Sequence, residues 1–158
     1  MPAASTVETR LVFHCAPAQA WETLLFYEQL EEPPPLHLRL LLPVPLGTSG
    51  GKSRPGDEAR CLYRGGHLIK RVTAVDRCRS YAFEVVEQDL RVGGGIRLLG
   101  GAYSLRERSP DATEVSAVTR YQSPLRPRWL WQPLEALVCH AFHRHILGAM
   151  RRGVRRLE

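Results

Sequence analysis

The sequence predicts a single α+β domain with about six antiparallel strands and a long C-terminal helix. Three observations support this prediction. Five β-rich segments joined by short turns follow Glu58, another β-rich segment lies near the N-terminus, and the residues after Pro127 have helical spacing. Parallel neighbours would need connections of roughly a dozen residues, so the short turns favour antiparallel pairing. The length of 158 residues fits one hydrophobic core, and we expect residues 1–158 to form one domain.

Composition places the chain among ordinary globular proteins. Hydrophobic residues make up 44% and charged residues 24% of the sequence. No apolar run reaches the roughly 18 residues that span a bilayer. The first residues lack the apolar region of a signal peptide, so we expect a cytoplasmic protein. The four cysteines lack CxxC spacing, which favours free thiols, and neither a metal nor a cofactor is expected.

The N-terminal third predicts a strand, a helix and a long loop. Residues 7–14 are rich in β-formers, and a helix with one apolar face is predicted from Pro17 to about Leu30. Pro33, Pro34 and Pro35 would end it. We expect residues 1–5 to be disordered and residues 33–56 to form a long loop rich in proline and glycine. This loop could be a gate or an irregular segment packed on the core.

The middle of the chain predicts a curved sheet. Gly65-Gly66 separates the first two strands after Glu58 and is typical of a tight hairpin. The predicted inward side chains of two later strands are Tyr81, Phe83 and Val85, and Val115, Ala117, Thr119 and Tyr121. Gly100-Gly101 interrupts a strand, which predicts a bulge that bends the sheet and leaves a concave face.

The C-terminal region predicts a helix of about 28 residues and about 40 Å. Placed at 100° per residue, one arc of this helix is mostly apolar and is predicted to face the sheet. The arc contains Leu130, Trp131, Leu134, Leu137, Val138, Ala141, Phe142, His145 and Ala149. His145 lies near its middle, whereas His140 and His143 lie on the other side. Because the three histidines diverge, the sequence does not favour a zinc site.

The order of these elements resembles the helix-grip fold of the START-like (SRPBCC) superfamily. This superfamily includes Bet v 1 allergens, START domains and polyketide cyclase/dehydrase-like proteins. APAQAWETL resembles the "APxExVWxxL" start of the first helix in bacterial members, and GGAYSLRE followed by DAT and TRY resembles their final hairpin. The resemblance implies a sheet wrapped around the long helix, with an apolar cavity between them. It does not imply one activity, because members bind, carry or convert different molecules.

His145 is the candidate catalytic residue, because it interrupts an apolar helix face that is predicted to point at the cavity. Burial would lower its pKa and keep the imidazole neutral, ready to orient a carbonyl or to act as a general acid or base. The alternative is a core histidine satisfied by a neighbour. The candidate ligand-binding residues are Tyr63, Phe83, Tyr103, Tyr121, Leu134, Val138, Ala141, Phe142 and His145. For the tyrosines, ordinary core packing is the alternative.

Arginines supply two further candidate features. Arg71 and Arg120 could meet an anionic ligand if their strands turn them inward, although most strand arginines face water. Arg151, Arg152, Arg155 and Arg156, with Trp129 and Trp131, could attract anionic lipid. The alternative is a solvated helix end. Aromatic residues are not interleaved with the basic ones, which does not favour nucleic acid as a partner.

Three hypotheses follow. The leading one is a monomer or homodimer that binds, and could transport, one hydrophobic or amphipathic small molecule such as a lipid or a polyketide-like compound. The second is an enzyme of the cyclase/dehydratase type that uses His145 as general acid or base. The third is a peripheral membrane or lipid-exchange protein that binds through its basic C-terminal helix. Neither a nucleotide-binding loop nor a GxSxG or HExxH motif is present.

Overall fold

A computed structural model describes residues 3–24 and 34–157. These residues form one antiparallel sheet of seven strands, in the order β1-β7-β6-β5-β4-β3-β2. The elements are β1 (Ala4–Phe13), α1 (Pro17–Trp21), α2 (Leu36–Leu41), β2 (Pro45–Gly50), β3 (Glu58–Tyr63), β4 (Gly66–Asp76), β5 (Ser80–Asp89), β6 (Arg97–Ser109), β7 (Ala112–Gln122) and α3 (Arg128–Leu157). The predicted α+β architecture is confirmed, with one strand more than expected.

Helix α3 packs against the sheet over strands β1 and β7. Its 30 residues extend for about 45 Å at the usual rise of an α-helix. The second half of the helix presents a regular apolar face to the core, formed by Ile146, Leu147, Met150 and Val154. Short helices α1 and α2 also contact α3. The core therefore lies between the sheet and the second half of α3.

The predicted bulge at Gly100-Gly101 is confirmed. The register of β6 against β7 shifts between Leu98 and Gly100. A Cβ atom on Gly100 would lie 2.4 Å from the carbonyl oxygen of Phe83, and one on Gly101 would lie 2.6 Å from that of Val118. Real Cβ atoms do not approach backbone so closely, so glycine allows the neighbouring strands to meet at this bend.

The predicted strand phase is also confirmed. Val115, Ala117 and Tyr121 of β7 are 0%, 2% and 4% exposed, and Tyr81 of β5 is 8% exposed. These side chains face the core, because alternate residues of a strand point to the same side of the sheet. Phe83 shares the inward phase and packs against this core.

The N-terminal third differs from its prediction. The segment expected to be a loop, residues 33–56, contains α2 and β2. Leu38 anchors α2 because its side chain is fully buried. Strand β2 has little intrinsic β-propensity, and it pairs with the edge of the sheet at β3. Residues 36–50 are thus a helix and an edge strand joined by a short connection.

Differences also occur near the N-terminus. Strand β1 begins at Ala4 and pairs with the end of β7, so the expected disorder of residues 1–5 is wrong for Ala4 and Ser5. Helix α1 ends at Trp21, well before the predicted end near Leu30. Residues 25–33 lie outside the described part of the chain. In the described residues, no helix has the length and apolarity to cross a bilayer.

Candidate ligand-binding site

The first half of α3 turns its polar side toward the sheet. Leu130, Leu134 and Leu137, predicted to face inward, are 44%, 46% and 64% exposed. The side chain of His143, predicted to face away, is 1% exposed. The predicted buried face is therefore wrong for these three leucines and for His143, whereas Phe142, also predicted to face inward, lines the cavity. The second half fixes the rotation of the helix by burying Ile146 and Leu147, and a rigid helix then carries the earlier residues with it.

His143 lies in a buried hydrogen-bond cluster with two threonines of the sheet. The Oγ1 atom of Thr9 is 2.8 Å from Nδ1 of His143 and 2.7 Å from Nδ1 of His140. The Oγ1 atom of Thr119 is 2.7 Å from Nε2 of His143. Burial, and next the nearby His140, lower the pKa of His143 to about 4. The imidazole of His143 is therefore neutral at pH 7.

Cys139 belongs to the same cluster but is not an activated nucleophile. Its Sγ atom lies 3.7 Å from Nε2 of His143. Burial raises the pKa of the Cys139 thiol to about 11, so the group stays protonated near neutral pH. Only the thiolate attacks an electrophile efficiently. The cluster can therefore orient a polar group by hydrogen bonds, and it does not provide a reactive sulfur.

A second polar cluster fastens the start of α3 to the end of β7. Arg128 binds the carboxylate of Glu135 with two hydrogen bonds of 3.1 and 2.8 Å. Ser123 and Tyr121 also donate to this carboxylate, at 2.5 and 3.2 Å. Burial alone would raise the pKa of Glu135, but the hydrogen bonds outweigh it and leave the pKa below its ordinary value. Burial, followed by the charge of Glu135, raises the pKa of Tyr121 to about 12. This cluster is fully satisfied and serves as a structural anchor.

A small cavity of about 30 Å³ separates the sheet from α3 next to the histidine cluster. It is lined by Lys70, Phe83, Ala102, Tyr103, Ala117, Val118, Thr119, Phe142, His143 and Ile146. A water molecule needs roughly 10–15 Å³ of such space, whereas sites for drug-sized ligands measure roughly 300–1,000 Å³. The cavity therefore holds only a few water molecules as it stands, and its aromatic and aliphatic walls also carry the polar side chains of Lys70, Thr119 and His143.

Lys70 brings a positive charge to the cavity wall. Its side chain comes from the inward face of β4, it is 7% exposed, and its Nζ atom lies 5.1 Å from the centre of the Phe83 ring. Lys52 is close enough that the charge of Lys70 contributes, after burial, to lowering the pKa of Lys52. A cationic side chain on a cavity wall suits a bound molecule that carries an anionic or hydrogen-bond-accepting group.

The candidate residues are distributed over several environments. Phe83, Tyr103 and Phe142 line the cavity. Tyr63 is buried in the core, and Tyr121 donates to Glu135. Val138, Ala141 and His145 are half-buried positions of α3 outside the cavity lining, and Leu134 is exposed. The ligand-binding role of these residues and the catalytic role of His145 stay predictions.

The two strand arginines do not point into the cavity. Arg71 pairs with Glu58 and Glu84 at 3.0 and 3.5 Å on the outer face of the sheet. Arg120 is exposed. Both arginines therefore face water, which was the alternative considered for them. Neither therefore supplies the cationic group at the cavity.

Two polar residues of the cavity, Lys70 and His143, were not among the sequence-based candidates, whereas Thr119 was predicted to face inward and lines the cavity. Two signals could have found Lys70 and His143. Leu68, Lys70 and Val72 occupy every second position of β4, so the lysine shares the inward face with the two apolar side chains. Along the helix, His143 precedes Ile146, Leu147, Met150 and Val154 at spacings of three and four, the pattern of one buried face.

Comparison with known proteins finds similarity in structure alone. The sequence matches no protein-family model and no curated protein. A START superfamily protein from Mycobacterium smegmatis is 13% identical over 97% of this chain and 99% of that chain, with a TM-score of 0.63. The Zhui aromatase/cyclase from Streptomyces sp. R1128 is 13% identical over 99% of this chain and 97% of that chain, with a TM-score of 0.62.

A third similar structure is norcoclaurine synthase from Thalictrum flavum in complex with dopamine and hydroxybenzaldehyde. It is 15% identical over 99% of this chain and 87% of that chain, with a TM-score of 0.60. At such low identity a structural likeness establishes the fold and leaves the activity open. The antiparallel sheet packed against α3 and these full-length likenesses show that the chain has the START/SRPBCC-like, or helix-grip, fold.

Proposed function

We propose that this protein binds one amphipathic small molecule between the sheet and α3. The molecule has an apolar or aromatic body and a head that is anionic or accepts hydrogen bonds. The observation that carries the proposal is the position of Lys70, a buried cation on the wall of a cavity that is otherwise largely aromatic and aliphatic. Transport of the bound molecule, such as a lipid or a polyketide-like compound, is compatible with the same site.

The lining separates the two parts of the ligand. Phe83, Tyr103 and Phe142 offer ring faces and edges to an apolar body. The ammonium of Lys70 would bind the head, and a charge-assisted hydrogen bond in a dry site is stronger than a neutral one. The hydroxyl of Thr119 and the neutral imidazole of His143 lie on the same wall and would fix its orientation. The fold neighbours Zhui and norcoclaurine synthase, the latter solved with two aromatic compounds, support an aromatic body.

Binding requires the cavity to enlarge, because a space of about 30 Å³ holds only a few water molecules. Phe83 and Phe142 are partly buried, and both form part of the wall. Displacement of the Phe142 ring would enlarge the cavity from the side of α3. Phe142→Ala should therefore bind an aromatic probe at least as tightly as the wild type.

The experiment compares two fluorescent probes with nearly the same aromatic body. 8-Anilinonaphthalene-1-sulfonate carries an anionic sulfonate, and N-phenyl-1-naphthylamine lacks it. Lys70→Met keeps an apolar side chain of similar length and removes the charge. Arg71→Met is the matched control, because it removes a cation from the next position of β4, on the opposite face of the sheet.

The proposal expects saturable binding of both probes at one site per chain. Lys70→Met should weaken the anionic probe about tenfold and the neutral probe less than about twofold, since only the sulfonate meets the ammonium. Arg71→Met should leave both affinities unchanged. Absence of saturable binding to the wild type, or an equal loss in both variants, would overturn the proposal.

The enzymatic alternative, a cyclase or dehydratase with His145 as general acid or base, has less support. His145 does not line the cavity. His143 does line it, but with a pKa of about 4 it could act near neutral pH only as a proton acceptor. Turnover of a polyketide-like substrate that is lost in His145→Ala and retained in His143→Asn would support the alternative.

A further inference from the structure

The solvent-facing side of α3 has two distinct parts. In its first half, Leu130, Leu134 and Leu137 are spaced by four and three residues and expose much of their surface, and Trp129 beside them is 77% exposed. In its second half, Arg144, Arg152 and Arg155 are exposed. At 100° per residue these leucines and arginines fall within an arc of about 80°. We call these seven residues the outer face of α3.

Charge on the outer face has one sign. Residues 128–157 contain a single carboxylate, Glu135, whose side chain is 6% exposed and is bound by Arg128 at 2.8 Å. The helix therefore contributes cations and no anion to its solvent side. A partner that complements the outer face must offer apolar surface to the first half and negative charge to the second half.

We propose that the outer face of α3 docks on an anionic lipid membrane. Leu130, Leu134, Leu137 and Trp129 would enter the boundary between headgroups and acyl chains, where tryptophan is favoured. The arginines would bind lipid phosphates with their guanidinium groups. An anionic bilayer offers both kinds of contact along one plane, and the helix would lie close to parallel with the surface. This proposal goes beyond ligand binding and does not depend on it.

A second copy of the chain fits the outer face less well. A standard protein interface buries roughly 800 Å² on each partner, and three leucines with one tryptophan, all already partly covered, fall short of that area. Pairing of two outer faces would also bring arginines of like charge near each other in the parallel arrangement. Charge complementarity therefore favours the lipid surface.

The test is cosedimentation of the full chain with lipid vesicles. One set contains phosphatidylcholine alone, and the other contains phosphatidylcholine with phosphatidylglycerol. A leucine variant carries Leu130→Ser, Leu134→Ser and Leu137→Ser, and an arginine variant carries Arg144→Gln, Arg152→Gln and Arg155→Gln. The matched control carries Leu36→Ser, Leu40→Ser and Leu41→Ser, because α2 exposes the same number of leucines at 64%, 77% and 53%.

The wild type should bind the anionic vesicles at least about tenfold more strongly than the neutral ones, and salt should weaken this binding. The leucine and arginine variants should each lose about tenfold or more, and the α2 control should change by less than about twofold. Circular dichroism should show that all variants stay folded, because the substituted side chains are exposed.

Several results would overturn the proposal. They are absence of binding to anionic vesicles, an equal loss in the α2 control, or binding that is insensitive to salt. Light scattering could instead show that the wild type is a dimer without lipid and that the leucine variant is a monomer. The outer face would then be an interface between two copies of the chain. Measuring mass before adding vesicles separates the two occupants.

Discussion

The two halves of α3 bury opposite kinds of side chain. The second half buries Ile146, Leu147 and Met150 and exposes arginines, as a surface helix of a globular protein normally does. The first half buries the carboxylate of Glu135 and exposes Leu134 and Leu137. One rigid helix has one rotation, so the packing of the second half against the core determines which side the first half presents to the sheet.

Polar groups are stable under the first half and the middle of α3 because they satisfy one another. His143 bonds to threonines of β1 and β7, and Glu135 accepts hydrogen bonds from three side chains. A buried polar group costs little once it has partners, and it costs most when one partner is removed. We therefore expect a large loss of stability when apolar side chains of the second half, or the buried polar side chains Glu135 and His143, are truncated.

The largest effect should come from truncating the apolar face of the second half. Leu147→Ala should lower the free energy of unfolding by about 2–5 kcal/mol, because Leu147 is fully buried and a cavity would remain. Leu137→Ala removes the same atoms from a side chain that is 64% exposed, and it should change the free energy of unfolding by less than about 0.5 kcal/mol. Urea denaturation measures both values. Similar losses in the two variants would contradict the assigned rotation of α3.

The next largest effect should be a dependence of stability on pH that arises from His143. Its pKa is lowered to about 4 in the folded protein, below the ordinary value of 6.5, so the unfolded chain binds a proton first as the pH falls. The contribution of neutral His143 to the free energy of unfolding is complete above pH 6.5. It is lost between pH 6.5 and about 4, at about 1.4 kcal/mol per pH unit.

Urea denaturation at pH 7 and at pH 5 tests this dependence above the range in which carboxylates protonate. Between pH 7 and pH 5 the free energy of unfolding of the wild type should fall by about 2 kcal/mol because of His143. His143→Asn should lose less across the same interval, because asparagine at position 143 does not titrate. An unchanged pH dependence in His143→Asn would show that another group is responsible.

A smaller effect should follow from removing the charge of Glu135. Glu135→Gln should cost about 1–3 kcal/mol at pH 7, because Arg128 loses a charged partner at a mostly buried position. The lowered pKa of Glu135 means that its contribution is present above the unfolded value and is lost as the pH falls through the folded value. The difference between wild type and variant should therefore shrink by pH 3. A constant difference would contradict the role of the charge.

Much of the fold could be predicted from the sequence. Short turns and alternating strands predicted the antiparallel sheet, and Gly100-Gly101 predicted the bulge, because these features depend on local geometry. Strand β2 was missed because its residues PLGTSG have weak β-propensity, and backbone pairing with β3 determines its conformation. Such tertiary pairing leaves little trace in a single sequence.

The candidate site was only partly predictable. Phe83, Tyr103 and Phe142 were found because aromatic residues on inward positions stand out, whereas Lys70 was overlooked although it shares the phase of Leu68 and Val72. The helix face was misassigned because an apolar arc was assumed to be buried along its whole length. Periodicity alone cannot tell a core-facing stripe from an apolar face left on the surface.

The most direct test of ligand binding at the cavity follows alanine methyl groups by NMR as 8-anilinonaphthalene-1-sulfonate is added. Ala102 and Ala117 line the cavity, and Ala141 lies on α3 outside it. We expect saturable shifts of the Ala102 and Ala117 methyl signals, with the Ala141 signal little changed, and we expect Lys70→Met to need about tenfold more probe for the same shifts. Shifts of Ala141 without those of Ala117 would place the probe elsewhere on α3 and contradict the proposed site.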